Sequence, residues 1–297
     1  MNFQKTRTFG LLAAFFTVSI WALFLLATRF AVRGEFTVEE VLILRLVPGA
    51  ILMAPLMFKL DLLPRGQSWP RALILMIGAS AIFPYIVSSG LRYAPASDAG
   101  ALAPGMLPFW AALAAFVFAG ESLDKPRAIG LLIILLGAIL IGFWQIFSGA
   151  DNDSWKGHLM FLTGSGLFAI HSVIFRQSGL SPFQGLVIGL FWGTLFLTPI
   201  LLFTGNVKFE NIRLADIIVM GLVQSFIIGI LATVLYNYSV KLLGAAETGA
   251  FGALTPILAL VGGGWLLDET ITLINSIGVL LVASGVFLAS GIHNRFK

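Results

Sequence analysis

Long apolar runs follow one another along the chain, and only short polar segments separate them. A helix needs about 20 apolar residues to cross the hydrocarbon core of a bilayer. The pattern predicts ten such helices, at residues 9–30, 39–58, 71–92, 98–120, 126–147, 157–177, 182–204, 216–240, 245–267 and 270–291. The first apolar run is too long for a signal peptide and is expected to stay in the mature chain. No room is left between the spans for a soluble domain.

Composition supports a membrane protein and excludes several other classes. Hydrophobic residues make up 58% of the 297 positions, charged residues only 11%, and the mean hydropathy is +0.97. Cysteine is absent, so disulfides and thiolate metal sites are excluded. The basic pI of 9.6 comes from lysines and arginines scattered singly between spans, a pattern that does not fit nucleic-acid binding. The lipid bilayer is the expected surrounding.

The distribution of positive charge predicts the orientation, because short cytoplasmic loops are enriched in lysine and arginine. With both termini in the cytoplasm, eleven of the 18 basic residues lie inside, six lie outside, and Arg45 falls within a span. Ten spans with both ends cytoplasmic is the consistent arrangement.

The two halves of the chain are related. Residues 94–142 align with 242–290 at an offset of 148, which pairs Pro108 with Pro256 and Glu121 with Glu269. The chain is therefore predicted to be a duplicated five-helix unit, with repeats at 1–148 and 149–297. Because five is odd, the second repeat is inverted in the membrane. Inverted repeats are typical of transporters that expose a midplane site alternately to each side.

The chain resembles a known family. A tryptophan in the first span ("SIWALF"), an arginine in the second ("LRLVPG") and a proline followed by a glutamate junction in spans four and nine are similar to the drug/metabolite transporter superfamily, specifically its ten-helix exporters with two EamA domains. The second repeat departs from the pattern, with Trp192 opposite Arg45 and Asp268 opposite Gly120. The resemblance implies a secondary exporter of small metabolites in a bacterial cytoplasmic membrane, with amino acids, aromatic ones included, as the expected substrates.

Four residues at the ends and bends of helices are candidate gating elements. Glu121 and Glu269 can cap the following helices or can form gates with nearby basic residues, Lys125 or Arg127 on one side and Arg213 or Lys208 on the other. Pro108 and Pro256 interrupt the backbone hydrogen bonding of their helices, and they can act as static kinks or as moving bends.

Nine residues within the predicted spans are candidate substrate contacts. Arg45 either snorkels to the headgroups or faces a cavity, where it could hold a carboxylate, and His171 is either a packed interior residue or a group protonated during transport. Polar and aromatic side chains inside the spans are expected to face other helices or water. The full set is Trp21, Arg45, Tyr85, Ser88, Trp110, His171, Gln224, Tyr236 and Asn237.

Other activities fit the sequence less well. An intramembrane hydrolase would need a nucleophile beside a base, and Ser165 and His171 are six residues apart on a helix and so face opposite sides. A phosphate-binding loop, a metal-ligand cluster and a cofactor motif are not found, and no enzymatic activity is predicted.

An exporter of drugs or cationic compounds is the alternative, which would need a buried acid, whereas acids such as Asp98 are expected at helix ends. A monomer is compatible with the sequence. Proton exchange and facilitated diffusion remain alternative modes of coupling.

Overall fold

A computed structural model describes residues 3–63, 66–119, 124–147, 153–243 and 245–291 of the chain. Regular structure in these ranges is helical throughout. The α-helices are α1 Phe3–Arg33, α2 Val38–Met57, α3 Trp69–Leu75, α4 Ile82–Gly90, α5 Ala96–Leu102, α6 Leu107–Ala119, α7 Lys125–Phe147, α8 Ser154–Ser178, α9 Pro182–Phe203, α10 Leu214–Gly221, α11 Ala232–Leu243, α12 Ala245–Phe251, α13 Leu254–Leu266 and α14 Leu273–Ala289. Two π-helical segments, Met76–Ser80 and Leu222–Leu231, join α3 to α4 and α10 to α11.

Eight helical stretches of the described chain are long and apolar enough to cross a membrane. The helix α14 is apolar but shorter, and the predicted fourth span is divided into α5 and α6 by residues 103–106. Large apolar side chains also cover the outside of the bundle, such as Phe203, which is 92% exposed. The prediction of an all-helical membrane protein is confirmed, and the count of ten spans and the cytoplasmic termini stay predictions.

The helices α7 and α14 pack against each other through glycines that the repeat predicts to be equivalent. A Cβ atom at Gly130 would lie 2.8 Å from the carbonyl oxygen of Gly285, and one at Gly137 would lie 2.7 Å from that of Gly278. At the offset of 148, Gly130 corresponds to Gly278 and Gly137 to Gly285. Each contact therefore maps onto the other when the repeats are exchanged, as a two-fold relation requires.

Irregular backbone also occurs at equivalent places in the two halves. The π-helical segment Met76–Ser80 corresponds to residues 224–228, which lie inside the second π-helical segment. The break at 103–106 corresponds to 251–254, where residues 252–253 separate α12 from α13. The carbonyl oxygen of Ala103, freed by the first break, accepts a 2.7 Å hydrogen bond from the hydroxyl of Ser165. Interrupted helices at matching positions are typical of the transport path in inverted-repeat transporters.

Candidate functional site

One face of α1 carries three residues that contact different helices. Trp21, Phe24 and Thr28 have the spacing i, i+3 and i+7, so they lie along a single stripe about 10 Å long. Trp21 contacts Tyr236 of α11, with ring centroids 5.6 Å apart. The stripe joins α1 to α2, to the second π-helical segment and to α11. We refer to Trp21, Phe24, Thr28 and their partners as the α1 site.

Arg45 of α2 reaches the middle of this stripe. Its guanidinium carbon lies 5.0 Å from the centre of the Phe24 ring, in cation–π geometry. Its Nη1 lies 3.4 Å from Oε1 of Gln224, a long hydrogen bond. Among the described residues, no carboxylate forms an ion pair with Arg45. An intramembrane arginine is thus held by an aromatic face and an amide, and its charge is not neutralised by an acid of the described chain.

Gln224 connects Arg45 to Thr28 of α1. Both side chains are fully buried, and the Gln224 amide donates a 2.9 Å hydrogen bond to the Thr28 hydroxyl. The expectation that Gln224 faces other helices is confirmed. Because its donor group is bound to Thr28 and its acceptor oxygen points to Arg45, Gln224 is placed to orient the guanidinium. Phe24 and Thr28 were not among the predicted candidates, although their spacing from Trp21 is visible in the sequence.

The remaining predicted aromatic and amide residues of α11 divide between two faces. Tyr236 is 38% exposed and lies against Trp21, at the end of the α1 site farther from Thr28. Asn237, its neighbour in sequence, points elsewhere and lines a groove between α9 and α11 with Phe183, Leu186 and Lys241. Adjacent helical residues are separated by about 100°, and the two side chains have different surroundings here.

Four other predicted candidates have separate surroundings. The Tyr85 hydroxyl lies 3.3 Å from Oε1 of Glu39, and the buried Ser88 hydroxyl has no partner among the described residues. Trp110 lines a cavity of about 550 Å³ between α6, α7 and α8. His171 lies between Phe168 and Phe175 on its own helix, with ring centroids 5.6 and 6.1 Å away. The structure thus brings Arg45, Gln224, Trp21 and Tyr236 to the α1 site and places the other candidates elsewhere.

Glu269 forms a buried ion pair, but its predicted partners were wrong. Nε of Arg29 lies 3.0 Å from Oε1 of Glu269, and the side chains are 11% and 6% exposed. Both carboxylate oxygens also accept from the backbone N–H of Ala96, at 3.1 and 3.0 Å, at the start of α5. Arg29 donates in addition to the carbonyl oxygen of Leu91. Glu269 therefore pairs with an arginine and caps α5, whereas the predicted cap of the following helix is wrong, because Thr272 caps α14. Glu269 joins α1, α5 and the loop after α13.

Arg213, which was predicted to pair with Glu269, has a different partner. Arg213 binds Asp216 through two hydrogen bonds of 2.8 and 3.2 Å, and these bonds raise the pKa of its guanidinium. Glu121 lies outside the described residues. Asp268 has a φ of 51°, in the left-handed region that glycine adopts most readily and aspartate tolerates. Aspartate thus occupies a left-handed backbone position here, where the sequence of the other repeat has Gly120.

The two paired prolines follow the helix breaks. Pro108 is the second residue of α6 and Pro256 the third residue of α13, so each lies in a first turn, where the missing N–H costs no helical hydrogen bond. Pro256 also packs closely on α5, because a Cβ at Gly100 would lie 3.1 Å from its Cα. The prediction that each proline interrupts hydrogen bonding within its helix is therefore wrong, because the helix breaks precede the prolines at equivalent positions. Movement at these breaks stays a prediction.

A second polar cluster was missed at the sequence level. Asp98 is completely buried, and its Oδ2 lies 2.8 Å from Nε2 of His158 on α8. The Asn275 amide of α14 donates a 3.1 Å hydrogen bond to Oδ1, and the Ser97 hydroxyl lies 3.3 Å from the same atom. Asp98 was expected at an accessible helix end. It does lie in the first turn of α5, but α8 and α14 cover that turn.

The family of the chain follows from its match to a family model. The model of the EamA-like transporter family matches residues 8–143 and again 155–291. The chain belongs to the EamA-like transporter family. The two matched segments agree with the duplication seen in the glycine contacts and the helix breaks. This EamA-like transporter is therefore a membrane transporter of small molecules.

Several known proteins are similar to this EamA-like transporter. "Uncharacterized transporter YyaM" of Bacillus subtilis is 25% identical over 73% of this chain and 72% of its own length. "Uncharacterized transporter YetK" of the same organism is 22% identical over 91% and 85%. "WAT1-related protein At3g02690, chloroplastic" of Arabidopsis thaliana is 26% identical over 87% of this chain and 63% of its own. One protein of known crystal structure shares the fold, with a TM-score of 0.61 at 18% identity over 99% of both chains.

Proposed function

We propose that this protein is a secondary transporter that exports small metabolites bearing a carboxylate, above all amino acids and including aromatic ones, by alternating access. The observation that carries the proposal is the Arg45 guanidinium within the α1 site, unpaired with any acid of the described chain. Charged groups inside a membrane usually face a partner, a substrate or water. A carboxylate substrate would supply the missing negative charge.

The geometry of the α1 site suits an amino acid with a large side chain. A guanidinium binds a carboxylate through two parallel hydrogen bonds, and Gln224 and Phe24 restrict the orientation of this one. About one helical turn from Phe24 along α1, Trp21 and Tyr236 form an aromatic pair, and Tyr236 is partly exposed. A carboxylate at Arg45 would thus direct an aromatic side chain toward aromatic partners, with which ring stacking is favourable.

Export of cationic compounds is less well supported. Such a substrate needs a buried acid that is free to pair with it. The buried acids of the described chain are engaged, since Glu269 pairs with Arg29 and Asp98 binds His158 and Asn275. Glu40 accepts from the backbone N–H groups of Thr37, Lys208 and Phe209. Glu39 accepts from the Tyr85 hydroxyl and the Asn206 amide. The ranking therefore favours carboxylate substrates.

The proposal includes a location in the cytoplasmic membrane of a bacterium, which is supported by the relatives from Bacillus subtilis. It leaves proton exchange and facilitated diffusion as alternatives for the coupling.

The test compares substrates with and without the carboxylate. Cells that produce the protein are loaded with labelled phenylalanine or with phenethylamine, which retains the ring and the amine but has no carboxylate. We expect the protein to accelerate phenylalanine efflux and to leave phenethylamine unaffected. A panel of labelled amino acids retained as in cells without the protein would contradict the proposal, and protection against cationic dyes would favour the alternative.

A further inference from the structure

The cluster of Asp98, His158 and Asn275 links the two EamA segments at one end of the molecule. Asp98 belongs to the first matched segment, and His158 and Asn275 belong to the second. All three lie within about a turn and a half of the start of their helices, at the end predicted to face outward. If the segments rock against each other, contacts between them near one end must form and break. This cluster is such a contact.

The burial of Asp98 makes its hydrogen-bond donors important. A carboxylate removed from water is costly unless charged or polar groups compensate it. Asn275 and Ser97 supply neutral donors, and His158 supplies the third partner at 2.8 Å. A histidine can donate from Nε2 both when neutral and when charged, so the contact persists while its strength changes. Protonation converts a neutral hydrogen bond into a charge-assisted ion pair.

Among the partners of Asp98 in the cluster, His158 is the one whose side chain can bind a proton. Histidine is the side chain whose ordinary titration falls between pH 5 and 8, whereas lysine and arginine stay charged there. The carboxylate of Glu269, which caps the same helix as Asp98 two residues earlier, is paired with Arg29. The positive charge of Arg29 also acts on Asp98. The other charged and titratable groups near the ends of the described helices that meet here are Arg33, Arg92, Tyr93, Asp153, Lys156, Asp268 and Glu269.

We propose that Asp98 and His158 form a proton-binding site whose protonated state holds the ends of α5, α8 and α14 together. The bound proton is on the His158 ring, and it turns a pair of net charge −1 into a neutral ion pair. Loss of the proton replaces the ion pair with a neutral hydrogen bond from His158, which weakens the contact and favours separation of these helix ends and hydration of Asp98. The meaning of this change for transport rests on the proposed function, but the site itself can be tested without a substrate.

The absence of cysteine from the chain permits a direct measurement of this movement. Tyr93 precedes α5, and its ring lies 5.7 Å from Nζ of Lys156 on α8, so the double variant Tyr93→Cys with Lys156→Cys carries two spin labels across the contact. Distance distributions are recorded by pulsed electron paramagnetic resonance in lipid nanodiscs from pH 5.5 to 8.5. We expect the ratio of near to far populations to fall about tenfold as pH rises.

Two variants and a matched control assign the response. His158→Gln and Asp98→Asn keep hydrogen-bonding groups but remove the titrating pair, and each should abolish the pH dependence of the distance. His171→Gln changes the other buried histidine of α8 and should leave the pH dependence intact. A distance distribution that does not change with pH, or a response that persists in His158→Gln, would overturn the proposal.

A second readout remains if the variants fail to fold. The chain has three histidines, so nitrogen-15 spectra of histidine-labelled wild-type protein contain few ring signals. A spin label at position 156 broadens the His158 signal selectively and thereby identifies it. The signal must shift between pH 5.5 and 8.5. A ring that keeps one protonation state over this range overturns the proposal, and failure to find any transported amino acid would contradict the proposed function without affecting these spectra.

Discussion

Replacement of Arg45 by methionine should weaken the binding of carboxylate substrates far more than it destabilises the protein. In the protein without substrate, Arg45 contributes a cation–π contact with Phe24 and a long hydrogen bond to Gln224. Methionine is apolar and fits a membrane interior, so loss of these contacts is partly offset. In the substrate complex, two charge-assisted hydrogen bonds to the carboxylate are lost as well.

The size of the binding effect can be estimated. A hydrogen bond to a charged group contributes about 1.5 to 3 kcal/mol, which corresponds to roughly a 10- to 150-fold change in affinity. We expect Arg45→Met to raise the KM for phenylalanine by about 10- to 100-fold. Arg45→Lys keeps the charge but loses the planar fork, so its KM should lie between the two.

The matched control is Trp192→Met. Trp192 was predicted to lie opposite Arg45, but the offset of 148 places Gly193 there. Trp192 is the neighbour of that position, and in the structure it is a packing residue. Its indole N–H donates to the carbonyl oxygen of Leu62 at 3.0 Å, and its ring contacts Trp69 at a centroid distance of 4.9 Å. This variant should lower thermal stability and change KM by less than about threefold.

Purified variants are compared in proteoliposomes, with transport expressed per correctly folded molecule. If Arg45→Met transports phenylalanine with a normal KM, Arg45 belongs to the membrane interface and not to the binding site. Equal losses in both variants would indicate a general effect of repacking and would also refute the reasoning.

Three further predictions concern the fold and the ion pair, and each is checked by thermal unfolding in detergent. Gly137→Val should disrupt the α7–α14 contact, because a Cβ there would lie 2.7 Å from a carbonyl oxygen of α14, whereas Gly142→Val on the same helix meets nothing within 4 Å and should be tolerated. Ser165→Ala should cost about 1 to 3 kcal/mol, since it leaves the broken end of α5 without its hydroxyl donor, and Ser172→Ala, which removes only a bond within α8, should cost less. Glu269→Gln should cost about 3 to 5 kcal/mol, because it leaves its arginine partner charged and buried, and stability equal to that of the wild type would contradict the assigned ion pair.

The sequence was sufficient to predict those features that depend on local patterns. The lengths of the apolar runs indicate a helical membrane protein. The recurrence of Gly130 and Gly137 at their counterparts in the second half indicates the duplication. Both features can be read from the chain because they are repeated along it. The two paired prolines marked the positions of the helix breaks for the same reason, since proline acts on its own backbone.

The partners of polar residues could not be predicted, because they depend on how distant helices pack. Arg29 and Glu269 are 240 residues apart in the chain, and nothing local indicates that α1 meets the end of α13. Asp98 looked accessible because it begins a helix, yet α8 and α14 bury it. The nine substrate candidates were chosen by residue type, and direction around the helix axis, as for Tyr236 and Asn237, separates them into different surroundings.

Counterflow with purified protein tests the central claim most directly. Proteoliposomes are filled with unlabelled phenylalanine and diluted into a trace of labelled phenylalanine, so that exchange through an alternating-access carrier concentrates label inside without any ion gradient. The account predicts transient accumulation that unlabelled phenylalanine abolishes, that phenethylamine does not compete with, and that Arg45→Met reduces by at least about tenfold. Label that never exceeds the level in protein-free liposomes, for phenylalanine and for every other amino acid in the panel, would contradict it.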